Sequence, residues 1–153
     1  MADELPGTGE DVVAAPRPPF FRPLRGQARA TAAVAVGGAI GAIARWAVGL
    51  GLPAAPGTFP LGTFGINTVG CFAIGVLLVV LTEQRCPHPL LRPFLATGVL
   101  GGFTTFSTFS VDAERLLLTR HALLALGYLG GTLVAALLAT WAGIALARKV
   151  GRR

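Results

Sequence analysis

Leu61-Gly62-Thr63-Phe64-Gly65-Ile66-Asn67-Thr68-Val69-Gly70-Cys71-Phe72-Ala73-Ile74-Gly75-Val76-Leu77-Leu78-Val79-Val80-Leu81-Thr82 runs for 22 residues without a formally charged side chain. A helix needs about 20 apolar residues to cross a hydrocarbon layer of about 30 Å, so this run is long enough to span a membrane. Three more apolar runs surround it: Ala30–Leu52 before it, Pro93–Leu118 and Ala122–Ala147 after it. Between Ala30 and Leu81 the only charge is Arg45. No water-facing surface can be built from such a stretch. The expected fold is therefore all-α, an integral membrane protein with four transmembrane helices.

The composition agrees. Of 153 residues, 53% are apolar and 13% charged, about half the charged share usual in soluble domains. Four of the seven acids, Asp3, Glu4, Glu10 and Asp11, fall in the first eleven residues. The net charge of +6 comes from Lys and Arg at the ends of apolar runs, where cationic side chains anchor to lipid headgroups. No basic patch is interleaved with stacking aromatics, so a nucleic-acid partner is not expected. Cys71 and Cys86 have neither metal-ligand nor disulfide-framework spacing and read as small filling residues.

Residues 1–29 are rich in Pro, Gly and charge and begin with acids, unlike a cleavable signal. They are expected to form a disordered cytoplasmic tail. Residues 30–147 form the four-helix domain, and residues 148–153 a basic C-terminal tail. The connections Pro53–Pro60, Glu83–Arg92 and Thr119–His121 are too short to hold a catalytic domain. With no nucleophile–base pair or metal cluster, an enzyme is not expected.

Polar groups inside a membrane span are costly, so they mark function or close packing. The third span contains Gly98-Val99-Leu100-Gly101-Gly102-Phe103-Thr104-Thr105-Phe106-Ser107-Thr108-Phe109-Ser110. Gly101-Gly102 followed by Thr104-Thr105 is poor helix material. A break there frees carbonyls at membrane depth, where they must line a cavity or hold an ion. Phe103, Phe106 and Phe109 recur every three residues and follow one broad helix face. They form either a packing stripe or a set of ring edges, electropositive at the rim, facing an anion. Hydroxyls of Ser107, Thr108 and Ser110 either donate to such an anion or bond back to their own helix.

Asn67 is the other costly group: its amide offers two N–H donors, or else one interhelical bond. Thr63 precedes it by one turn, and Tyr128 with Thr132 repeats that spacing in the fourth span. Arg45, followed by Trp46, reads as an interface anchor rather than an ion contact. His88 and His121 fall in connections and read as solvated. Glycine pairs four apart, Gly37/Gly41, Gly98/Gly102 and Gly127/Gly131, predict close helix packing. Four short helices bury little area alone, so self-association is expected.

Gly37-Gly38-Ala39-Ile40-Gly41-Ala42-Ile43-Ala44-Arg45-Trp46, Gly62-Thr63-Phe64-Gly65-Ile66-Asn67-Thr68-Val69-Gly70-Cys71-Phe72 and the stretch Gly98 to Ser110 resemble three signatures of the Fluc (CrcB) fluoride channels. The resemblance covers roughly residues 30–147. It implies an antiparallel dimer in the cell membrane, with two fluoride pathways and one structural sodium ion at the dimer centre. By that resemblance, carbonyls of Gly101 and Thr104 hold the sodium, Phe106 and Phe109 are pore phenylalanines, and Asn67 is the pore asparagine. The polar track beside them matches Thr63, Ser110, Tyr128 and Thr132, and stops at Ala136, where some members carry a hydroxyl. Glu114 matches an acid near the vestibule, while Asp112 reads as a solvated helix end. The implied role is passive export of fluoride from the cytoplasm, which relieves its toxicity.

The charge distribution departs from an antiparallel homodimer. Arg17, Arg22, Arg25, Arg29, Arg85, Arg92, Arg148, Lys149, Arg152 and Arg153 all fall on the side of the two termini, against Arg115 and Arg120 on the other. The positive-inside bias then fixes both termini in the cytoplasm. A homodimer, or a heterodimer with an oppositely oriented paralogue, follows as the assembly to distinguish. A four-helix drug/proton antiporter needs a membrane-embedded carboxylate, and the first two spans have none before Glu83. A non-conducting scaffold would use Asn67 and the hydroxyls only to join helices.

Overall fold

The computed structural model describes residues 27–83 and 88–151. Residues 1–26, Cys86 and the basic residues at 85, 152 and 153 lie outside them, and with them most of the expected N-terminal tail. Helix α1 spans Ala28–Gly51, α2 Leu61–Glu83, and α5 Ala122–Gly151. The third span comprises α3, which is π-helical over Pro93–Leu100 and ends in the turn Gly101–Phe103, and α4, Ser107–Leu118. There are no strands among the described residues. All four spans, Ala28–Gly51, Leu61–Glu83, Pro93–Leu118 and Ala122–Gly151, are long and apolar enough to cross a membrane. Helix α5 carries on past Ala147 through Arg148 and Lys149, residues that the sequence assigns to a tail.

Glycine decides how the helices pair. Helix α1 packs on α3 where Gly37 and Gly41 face Gly98 and Gly102. A methyl on Gly98 would lie 2.9 Å from the Gly37 Cα, and one on Gly41 would strike the Val99 carbonyl. Helix α2 packs on α5 through a pair that spacing alone does not reveal. A methyl on Gly75 would strike the Thr140 carbonyl, and one on Gly143 the Phe72 carbonyl. Gly127 and Gly131 differ from expectation: an added methyl meets nothing within 4 Å at either position. That third pair therefore packs against none of the other described helices.

The ends of the spans are tied in two places. Arg148 donates to Glu83 at 2.8 Å where α2 and α5 end together. At the opposite end, Gly57, with φ +74°, presses its Cα against the His121 ring, and a methyl there would sit 2.8 Å from Cε1. His121 Nδ1 is also 3.1 Å from Thr119 Oγ1, so this histidine, exposed as expected, also touches both connections. The core lies nearby, where Ala113, Leu116, Ala125 and Tyr128 gather Phe59, Phe64 and Phe109 around them. Elsewhere little is covered: between 11% and 22% of each span's most apolar stretch is buried.

Candidate functional site

Backbone geometry at the end of α3 organises the site. Thr104 donates through N–H and hydroxyl to the Leu100 carbonyl, at 3.0 and 2.9 Å, then leaves the helix with ψ 157°. Regular helix resumes at Ser107. Thr105 lies between the two helices, buried, and its hydroxyl oxygen accepts from the Thr108 N–H at 3.1 Å, capping α4. No hydrogen bond reaches the carbonyls of Gly101 and Thr104 among the described residues.

Asn67 on α2 holds this segment in place. Its Nδ2 donates to the Thr105 carbonyl at 3.0 Å, and its Oδ1 accepts from the Thr105 N–H at 2.9 Å. The two bonds fix which way the amide faces and use one of its two donor hydrogens. On one side of this clamp is a groove of about 500 Å³, lined by Asn67, Gly101, Thr104, Phe106, Phe109 and Thr132. Cys71 and Ala136 line it too. On the other side is a cavity of about 520 Å³, bordered by Arg45, Trp46, Thr63, Thr108, Asp112 and Arg115. Thr105 borders both.

The aromatic stripe is a pair rather than a triplet. Phe106 is 80% exposed on the groove, and its ring centre lies 6.0 Å from that of Phe109. Phe109 is half-buried against Tyr128, 5.1 Å between centres. Phe103 lies before the interruption, packed toward Gly70 and Gly41, and lines neither recess. A continuous helix would have carried it onto the same face; the extended Thr104 does not.

The hydroxyls divide. Ser110 donates to the Phe106 carbonyl at 3.0 Å and lines neither recess. Thr132 lines the groove while donating to the Tyr128 carbonyl at 2.6 Å. Tyr128 is fully buried and its hydroxyl has no hydrogen-bond partner among the described residues. Thr63 donates to Asp112 Oδ2 at 2.6 Å. Asp112 is only 5% exposed, not a solvated helix end, and it borders the cavity; Glu114 is exposed and borders neither recess. Arg45 likewise turns into the cavity, half-buried, instead of serving only as an anchor.

Sequence reasoning missed Thr105, Asp112 and Arg115. The signal for Asp112 was present: an acid in an apolar span, seven residues after Thr105 and so on the same helix face. For Thr105 the expected break after Gly101-Gly102 pointed to the segment, but not to this side chain as the one that caps α4 and pairs with Asn67.

Comparison with known proteins places the chain among close relatives. Residues 32–144 match the model of the family described as CrcB-like protein, Camphor Resistance (CrcB). A protein of Streptomyces coelicolor named fluoride-specific ion channel FluC 1 is 52% identical over 126 residues, 82% of each chain. FluC 2 of Nocardia farcinica is 48% identical over 76% of this chain and 83% of its own. FluC of Chloroflexus aurantiacus is 43% identical over 78% of this chain and 95% of its own. Streptomyces avermitilis carries two similar proteins, named FluC 2 and FluC 3.

Proposed function

The chain belongs to the CrcB family, and from that premise we propose that it forms a fluoride-selective channel, built as an antiparallel dimer, that lets fluoride leave the cytoplasm passively. The observation that carries this reading is the groove beside Asn67. It puts a clamped amide with one donor hydrogen left next to the Phe106 and Phe109 rings, at membrane depth. Fluoride is small and strongly hydrated, so a pathway must replace its water at close range with donors and electropositive ring edges. The unpartnered Tyr128 hydroxyl, beside Phe109, supplies a further buried donor. A negative cell interior drives an anion outward by about 2.3 kcal/mol per 100 mV. Fluoride that enters as the neutral acid and ionises inside is thereby removed.

The groove is mostly apolar, but the polar groups of Asn67, Thr104 and Thr132 that line it are costly to leave facing lipid. The exposure of Phe106, at 80%, and the free faces of Gly127 and Gly131 favour a second subunit as its cover. The charge bias of this chain favours a partner of opposite orientation encoded separately, and Streptomyces avermitilis, with two similar proteins, offers a precedent for paralogues in one organism. A structural sodium ion fits the chemistry of the third span. Gly101 and Thr104 border the groove with carbonyls that accept no hydrogen bond among the described residues, and hard cations favour such oxygens. The carbonyls of Gly101 and Thr104 would hold the ion, which would satisfy their free lone pairs; the residues that meet fluoride are Asn67, Phe106, Phe109, Thr132 and Tyr128, with Thr63 on the cavity side of Thr105 and Ser110 held to the Phe106 carbonyl beside them.

Fluoride-electrode efflux from proteoliposomes tests this reading, with the chain alone and with its paralogue. Release of fluoride without chloride is expected in at least one case, and Phe106→Ile should cut it sharply. No release under either condition would overturn the channel.

A further inference from the structure

We infer that Thr105 is a positioning residue: its hydroxyl holds the Thr108 hydroxyl as a directed donor to a small anion in the cavity of about 520 Å³. A hydroxyl inside a helix is usually spent on its own backbone. Those of Thr68, Ser110, Thr132 and Thr140 each donate to the carbonyl four residues back, at 2.6 to 3.0 Å. Thr108 departs from that pattern. The carbonyl four residues before it belongs to Thr104, which is extended at ψ 157° and accepts no hydrogen bond among the described residues. The carbonyl three residues before it, that of Thr105, takes Asn67 Nδ2 at 3.0 Å.

The Thr105 hydroxyl decides where the Thr108 hydrogen goes. Its buried Oγ1 donates to Thr108 Oγ1 at 3.1 Å and accepts from the Thr108 N–H, also at 3.1 Å. Ser107 Oγ lies 3.3 Å from the same oxygen. A hydroxyl has one hydrogen and two acceptor positions, so with its hydrogen on Thr108 it accepts from Ser107. Every capacity of Thr105 Oγ1 is then filled, which fixes its rotation. The Thr108 oxygen is an acceptor in this arrangement, and its own hydrogen meets no acceptor among the described residues. Thr108 is exposed and borders the cavity beside Thr105. The hydroxyls of Ser107, Thr105 and Thr108 thus form a chain that ends in a free hydrogen at the cavity wall. Each bond in such a chain polarises the next, so the last hydrogen is a stronger donor than a lone threonine supplies. A small anion that must exchange its water for donors at short range is the ligand this hydrogen fits.

This role rests on the channel reading, and the experiment separates the two. Initial fluoride efflux from proteoliposomes is measured against fluoride concentration, with the paralogue supplied where conduction requires it. Thr108→Val removes the donor and should raise the half-saturating concentration several-fold. Thr105→Val removes the group that directs it and should produce a similar rise, which Thr105→Ser should largely reverse. Glycine is tolerated at a helix start, so Thr105→Gly should show the same rise even where the valine variant fails to fold. Thr105→Val added to Thr108→Val should raise half-saturation no further, because the first change acts through the second. A group that only capped α4 would lower the unfolding temperature and leave half-saturation unchanged. That result, or rises that add in the double variant, would overturn the positioning role and leave the channel standing. Fluorine-19 line broadening of fluoride over the solubilised full chain reads capture without conduction. Should wild-type vesicles stay silent, broadening that falls in both valine variants would overturn the channel and keep the role. Silent vesicles with equal broadening for all three proteins would overturn both.

Discussion

Asn67 and Thr105, 38 residues apart, exchange two hydrogen bonds that join the middle of α2 to the interruption between α3 and α4. The pairing makes the side chain both a brace and a donor. Asn67→Asp keeps the acceptor for the Thr105 N–H but loses the donor and adds a negative charge beside the groove. Fluoride efflux should fall more than tenfold. Asn67→Leu leaves the Thr105 peptide unpaired at membrane depth and should also lower stability by about 1–3 kcal/mol, read by thermal unfolding in detergent.

Phe106 and Phe103 separate conduction from packing. Phe106→Ile alters an exposed groove wall and should cut fluoride flux with little change in unfolding temperature. Phe103→Ile touches the packing near Gly41 and Gly70 and should act mainly on stability.

Thr63 shields a buried acid. Thr63→Val removes the hydroxyl that satisfies Asp112 and leaves the carboxylate without that partner at 5% exposure. The cost should be about 1–3 kcal/mol, largely restored by Thr63→Ser. Equal unfolding temperatures for all three proteins would refute this.

Among the glycines, the outcome should split by contact. Gly41→Ala and Gly75→Ala place a methyl on a neighbouring carbonyl and should lower the unfolding temperature of the chain itself. At Gly127 and Gly131 an added methyl meets no atom of the described residues within 4 Å, so Gly127→Leu and Gly131→Leu should act mainly on the assembly state, read by cross-linking or light scattering.

Exchanging sodium for a bulky organic cation throughout purification should weaken subunit association and lower flux. Returning sodium should restore both. Flux and association indifferent to sodium would remove Gly101 and Thr104 as its ligands.

The spans were legible because membrane helices announce themselves by length and apolar content: Leu61–Thr82 read from sequence and Leu61–Glu83 in the structure differ by one residue. Asn67 was legible for the opposite reason, being too costly in such a run to lack a purpose. Positions that depend on backbone departures were not. A break was expected between Gly101 and Thr105, but the face assigned to Phe103, Phe106 and Phe109 took no account of it. The seating of Gly75 on Thr140 and of Gly143 on Phe72 has no spacing to reveal it, since each glycine sits alone against a different helix. Arg45 looked like an anchor because its companions, Asp112 and Arg115, lie in another span.

Thr105 has one further consequence, through its place as the wall shared by two recesses. A side chain that borders both cannot be altered on one face alone, so any change in its size or polarity is transmitted to the two together. The chambers are in that sense one unit, hinged on a single buried residue.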